Sequence, residues 1–207
     1  MIYICVLNPP FTFILNYKQA ILISWATWLL SLHDDIANKI RAELDEHNIT
    51  NELKADTCPS YDQFQKCTYL EAALKETLRL YPPASVARYT PDVDETYDGY
   101  TIGGALIILS TYVMHRHPLL WKRPEEFIPE RWLDGSEDNL NEKWAPFSRG
   151  PRDCIGKYFA LLEAKLAISV LLTRYDLECV NPQETPCARL TDQARDGAKV
   201  IFTPRKS

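Results

Sequence analysis

The segment that most constrains this chain is Phe147-Ser-Arg-Gly150-Pro-Arg152-Asp-Cys154-Ile-Gly156, which runs straight into a long apolar stretch. A lone cysteine is ordinarily a small buried hydrophobe, but the surroundings of Cys154 argue otherwise. Residues 155–173 are predicted as the longest helix of the chain. Ile155, Phe159, Leu162, Leu166 and Val170 recur along one side, and Leu161, Ile168 and Leu172 fill the rest. A helix apolar nearly all round belongs in the middle of a core. Cys154 immediately precedes it, so unsatisfied N–H groups and the positive end of the helix dipole favour thiolate over thiol. Gly150 and Gly156 let the backbone turn tightly and come close to another group without a side chain in the way. Arg152 is a planar charged fork suited to a carboxylate. Phe147 can shield the sulfur from water.

The remaining pattern is mainly helical with small β elements. Ala20 to Leu32 is apolar for only 13 residues, too short to cross a membrane, and reads as a buried helix. Asp34 and Asp35 favour a helix start, and Ile36, Ile40 and Leu44 then build one apolar face of a helix reaching about His47. Residues 48–61 are polar, contain Pro59, and read as a connection. Thr68 to Leu80 is a third helix with an inner stripe of Leu70, Leu74, Thr77, Leu78 and Tyr81, stopped by Pro82-Pro83. Short strands are predicted at 86–90 and within 100–109, with Gly99, Gly103 and Gly104 at turns, and again at 177–180 and 199–203. Between Pro118 and Phe147, four prolines and three tryptophans mark an irregular stretch that something must hold in place.

Composition excludes little beyond nucleic acid as a partner. The net charge is -5, with 23 Lys and Arg scattered among 28 acids and no basic stripe. Cys5, Cys58, Cys67, Cys154, Cys179 and Cys187 show neither C-x-x-C pairing nor zinc-like spacing with histidine, which favours a reducing compartment. His115 and His117 alternate and read as loop residues.

The ten-residue cysteine loop resembles that of the cytochrome P-450 family. Glu76-Thr-Leu-Arg79 is similar to the family's E-x-x-R helix, and Pro129-Glu-Arg131-Trp132 to its later P-E-R-W element, in the right order. The resemblance implies an incomplete cytochrome P-450 fold: the end of the central helix, the E-x-x-R helix, the cysteine loop and the helix after it. It implies haem as cofactor, with Cys154 as axial ligand of the iron. Arg152, Phe147, Gly150 and Gly156 would shape the cofactor pocket, and Arg88 would be a second propionate-binding residue. Glu76, Arg79 and Arg131 would form a structural charged triad. His115-Arg116-His117-Pro118 resembles the family's H-R-x-P stretch, where His115 either reaches a propionate or packs, and Trp144 takes a core aromatic position. The implied chemistry is insertion of one oxygen atom of dioxygen into a small apolar organic substrate. Electrons would come from an NADPH-dependent flavoprotein reductase at the cytosolic face of the endoplasmic reticulum.

The resemblance covers residues 20–207, and residues 1–19 read as unrelated or mis-joined sequence. In the register where the family carries its oxygen-activating A-G-x-x-T, this chain has Ile14-Leu-Asn-Tyr-Lys-Gln19. The small pair and the threonine are absent, so no catalytic residue is expected intact. The family's membrane anchor and substrate-recognition loops are also expected to be missing. An inactive truncated chain that at most binds haem is therefore the alternative to a working monooxygenase.

Overall fold

The computed structural model describes residues 12–84, 86–89, 94–103, 106–133, 135, 138–187 and 193–205, with only the backbone of 12–16, 86–89, 97, 141 and 193. Helix α1 spans Thr12–Leu32 and α2 spans Asp34–Glu46, with Asp34 and Asp35 in its first turn. Helix α1 begins eight residues before the apolar run that predicted it. The polar residues Lys18 and Gln19 fit the helical face pattern instead of breaking it, since Lys18 is exposed while Gln19 is buried. The expected connection at 48–61 contains a helix, α3 (Ile49–Lys54), and ends at α4 (Tyr61–Lys66). Helix α4 starts at a capping box in which Ser60 and Gln63 satisfy each other's backbone N–H groups.

Helix α5 covers Thr68–Leu80, the predicted bounds. The strands form two-stranded antiparallel ladders: β1 (Val86–Tyr89) with β4 (Ile107–Ser110), β2 (Thr96–Tyr97) with β3 (Tyr100–Thr101), β5 (Tyr175–Cys179) with β8 (Val200–Pro204), and β6 (Pro186–Cys187) with β7 (Gln193–Ala194). The turn expected at Gly104 falls outside the described residues. Short helices α6 (Thr111–Met114) and α7 (Leu140–Lys143) flank a 3-10 turn at Pro129–Trp132, and α8 runs Lys157–Arg174. No described helix is long and apolar enough to cross a membrane.

The core lies where α1, α2, α5 and α8 meet. Trp25 of α1 is 1% exposed and stacks on Tyr81 at 3.9 Å between ring centroids. The all-round apolar helix α8 is central only along its second half, where Ala164, Ile168 and Leu172 are buried. At its first turn Tyr158 and Phe159 are 75% and 71% exposed. The end of α8 beside the cysteine loop is left uncovered.

Candidate functional site

The cysteine loop is a pair of linked turns. Ser148 N–H donates to the Ala145 carbonyl at 3.1 Å, and Cys154 N–H donates to the Phe147 carbonyl at 2.9 Å. Two residues adopt positive φ to close them, Ser148 at 63° and Gly150 at 82°. A Cβ on Gly150 would meet nothing within 4 Å, so glycine is required there by backbone conformation and not by space. At Gly156, the residue capping α8, the atom facing a Cβ would be Cys154 Sγ at 4.0 Å. Cys154 is exposed, as are Arg152 and the wholly uncovered Ile155. Arg152 makes no hydrogen bond or ion pair among the described residues, whereas Asp153 pairs with Lys157 at 2.7 Å. Phe147 is half-buried and meets Trp144 edge-on at 6.3 Å. The loop therefore offers an accessible sulfur beside uncovered apolar side chains and a free guanidinium, a donor set that fits a flat apolar group carrying carboxylates. Arg88 pairs with Ile108 through the β1–β4 ladder, and its side chain lies outside the described residues.

Beneath the loop, Glu76, Arg79 and Arg131 come together in the interior. They are 0%, 0% and 2% exposed. Glu76 Oε1 accepts from Arg79 Nη2, Arg131 Nε and the Ile128 N–H, and its Oε2 accepts from Arg79 Nε and the Trp132 indole, all at 2.9–3.0 Å. Arg79 also donates to the carbonyls of His115, Pro124 and Glu126, and Arg131 to those of Lys122 and Arg123. One carboxylate thus faces two guanidiniums, and backbone carbonyls satisfy the remaining donors. Trp121 lies 1% exposed among the cations, with Lys143, Arg79 and Arg131 at 4.6, 5.2 and 5.9 Å from its ring. Sequence reasoning missed the Ile128 and Trp132 donors. Trp132 follows Arg131 directly, and its need for an indole partner when buried was the available signal.

His115 is fully buried and does not face the open side of the loop. Its Nε2 accepts the Ala145 N–H at 3.0 Å. Burial first, and then the neighbouring Arg79 charge, push its pKa down to about 3, so the ring is neutral. Trp144 reaches the α5 carbonyl of Lys75 at 3.2 Å.

Two further ties hold the site-bearing helices, and neither is readable from local pattern. Glu43 of α2 caps α5, accepting from Tyr69 N–H at 2.7 Å and Leu70 N–H at 2.9 Å. Lys165 of α8, 2% exposed, donates to Glu71 of α5 at 2.7 Å and to the Phe64 carbonyl at 2.9 Å. A cavity of about 830 Å³ opens elsewhere, between α1, α2 and residues 122–131, lined by Trp28, His33, Tyr81 and Phe127. Cys154 does not line it.

The chain is similar in sequence to known proteins. The family model described as Cytochrome P450 matches residues 20–201. "Cytochrome P450 4c3" of Drosophila melanogaster is 34% identical over 187 residues, which is 88% of this chain and 34% of that protein. "Cytochrome P450 3A13" of Mus musculus is 34% identical over 166 residues, 79% of this chain and 32% of its own. "Cytochrome P450 3A31" of Mesocricetus auratus is 33% identical over 186 residues, 89% and 35% respectively. The chain spans about a third of the length of the curated relatives it matches. With the family model covering most of its length, the chain belongs to the cytochrome P450 family.

Proposed function

We propose that this chain is the C-terminal portion of a haem-thiolate monooxygenase, and that Cys154 is the protein's ligand to the haem iron. The observation that carries the reading is the exposed Cys154 at the foot of α8, its N–H held by the Phe147 carbonyl and its neighbour Ile155 wholly uncovered. Among the described residues no cluster of three or more His, Cys, Asp or Glu could hold a metal ion. A haem iron at this site would take Cys154 as its ligand from the chain. Arg152 would meet a propionate, with Arg88 as a second partner, and Phe147 would limit water at the sulfur. A thiolate-ligated haem supplies the activation of dioxygen. The chain's own residues present the sulfur, keep the loop's shape and hold it against the core.

The partners that follow are those of the family: a small apolar substrate and an NADPH-dependent flavoprotein reductase, at the cytosolic face of the endoplasmic reticulum. The test of ligation is spectroscopic. The full chain, loaded with haem, reduced and exposed to carbon monoxide, should show the red-shifted Soret band of thiolate ligation. Cys154→Ala should abolish that band, while Cys58→Ala and Cys179→Ala leave it. An unchanged band in Cys154→Ala defeats the assignment.

A second reading has its own observation behind it. Helix α1 carries Ile14-Leu-Asn-Tyr-Lys-Gln19 in the register of the family's oxygen-activating element, and this run contains neither the small pair nor the threonine. On that reading residues 1–19 are foreign to the family, and the chain binds haem without completing oxygenation.

A further inference from the structure

The turn that begins the cysteine loop hangs on one imidazole. Ala145 N–H donates to His115 Nε2 at 3.0 Å, and the Ala145 carbonyl receives Ser148 N–H at 3.1 Å. Inside that turn the Phe147 carbonyl receives Cys154 N–H at 2.9 Å. Ser148 sits at φ 63°, a conformation a serine keeps only when its surroundings impose it. On its other side, the His115 carbonyl receives Arg79 Nη1 at 2.8 Å. Arg79 in turn grips Glu76 with two hydrogen bonds. Only a neutral imidazole with its proton on Nδ1 can accept at Nε2, and burial of His115 holds it in that neutral form.

We propose that His115 is a positioning residue whose imidazole sets the Ala145–Ser148 turn, and through it the Cys154 peptide, against the buried cluster of Glu76 and Arg79. The consequence for iron ligation rests on the reading of Cys154 as the ligand; the consequence for loop geometry does not. A histidine that only fills space could be replaced by phenylalanine without effect on the loop. A histidine that acts as an acceptor is replaced by glutamine, whose side-chain oxygen stands near the position of Nε2.

The test reads backbone amide exchange in the full chain without haem, resolved to single residues, in His115→Phe, His115→Gln and Ala145→Pro. The last variant removes the donor from the other side. Its preceding residue, Trp144, is already extended at φ -116° and ψ 112°, as a residue before proline must be. In His115→Phe the Ala145, Ser148 and Cys154 amides should exchange about tenfold faster or more, with the α8 amides unchanged. His115→Gln should stay within about threefold of the parent, and Ala145→Pro should release Ser148 and Cys154 as His115→Phe does. Parent-like protection in His115→Phe overturns the proposal, as does equal loss in Phe and Gln. If His115→Phe unfolds as a whole, parent-like protection of Ser148 and Cys154 in Ala145→Pro is the result that overturns it. A second arm measures the carbon monoxide spectrum with haem, where the thiolate band should shrink in His115→Phe and return in His115→Gln. Absence of that band in the parent as well, alongside the expected exchange pattern, removes the reading of Cys154 and leaves the loop-positioning role standing.

Discussion

Glu76 has five hydrogen-bond donors within 3.0 Å and no exposed surface. Its worth lies less in net attraction than in what its removal leaves behind. Two buried guanidiniums, a backbone N–H and an indole would lose their acceptor together, in an interior where water cannot replace it. Glu76→Ala should therefore lower unfolding stability by roughly 3–5 kcal/mol, a large share of what an ordinary domain has. Glu130, which accepts from Lys39 and Tyr69 at the edge of the fold with 38% of its side chain exposed, provides the contrast. Glu130→Gln should cost about 1 kcal/mol or less. Urea midpoints of the two variants against the parent decide the matter, and equal small losses would mean that the cluster is not the anchor its geometry suggests.

At the level of elements, the site depends on how α5 and α8 are joined, because α5 carries Glu76 and Arg79 while α8 follows the cysteine. Lys165 and Glu71 are that joint. Burial alone would raise the Glu71 pKa, but hydrogen bonds from Lys165 and Lys75 more than offset it, and the net displacement is downward from 4.5. In the unfolded chain Glu71 takes up its proton near the ordinary value, whereas in the folded chain it does so at lower pH. Between those two values the unfolded state binds more protons, so stability rises with pH there. The stabilisation from Glu71 is complete above about 4.5 and is lost as pH falls through the lower folded value. Glu130 is displaced the same way, with hydrogen bonds from Lys39 and Tyr69 outweighing its burial. The urea midpoint of the parent should therefore fall on acidification from about pH 6 to about pH 3. Glu71→Gln should start lower and fall less steeply over that span. An identical slope in the variant would show that the α5–α8 joint carries no pH-dependent stability.

On the scale of the whole molecule, helix α1 passes without a break from Thr12 to Leu32. Gln19, only 7% exposed, donates through its side-chain amide to the Ala160 carbonyl of α8, and Tyr17 packs on the core. The run Ile14-Leu-Asn-Tyr-Lys-Gln19 is thus tied to the helix that follows the cysteine, and the second reading proposed above takes it to stand where the family carries its small pair and threonine. A site without a closed, proton-delivering wall admits water and loses reduced oxygen before a substrate is attacked. Supplied with haem, a flavoprotein reductase and NADPH, the chain should consume reducing equivalents, if it consumes them, as peroxide and superoxide. Hydroxylated fatty acid, sterol or drug-like hydrocarbon should be absent by mass spectrometry. Product formed in proportion to NADPH would overturn the reading of α1 as lacking the oxygen-activating residues.

Much of this was legible in the residues alone, for a physical reason. The 3.6-residue recurrence of apolar side chains and the Pro82-Pro83 stop specify α5 to the residue, and Asp34-Asp35 mark the start of α2. The cysteine loop is legible because glycine at φ 82° and a thiol at a helix foot are local demands with few alternatives. Other features became visible only with the chain folded. A helix appears at Ile49–Lys54, in a stretch that reads as a polar connection, because its two buried residues, Ile49 and Leu53, find α8. Glu43, Lys165 and His115 look like ordinary surface or loop residues in the sequence. Each is distinguished by a partner 26 or more residues away: Tyr69 and Leu70 for Glu43, Phe64 and Glu71 for Lys165, and Ala145 and Arg79 for His115. Periodicity tells which face of a helix turns inward, but the topology alone decides what meets it there. The same topology leaves Ile155, Tyr158 and Phe159 uncovered beside Cys154, although their pattern reads as the middle of a core.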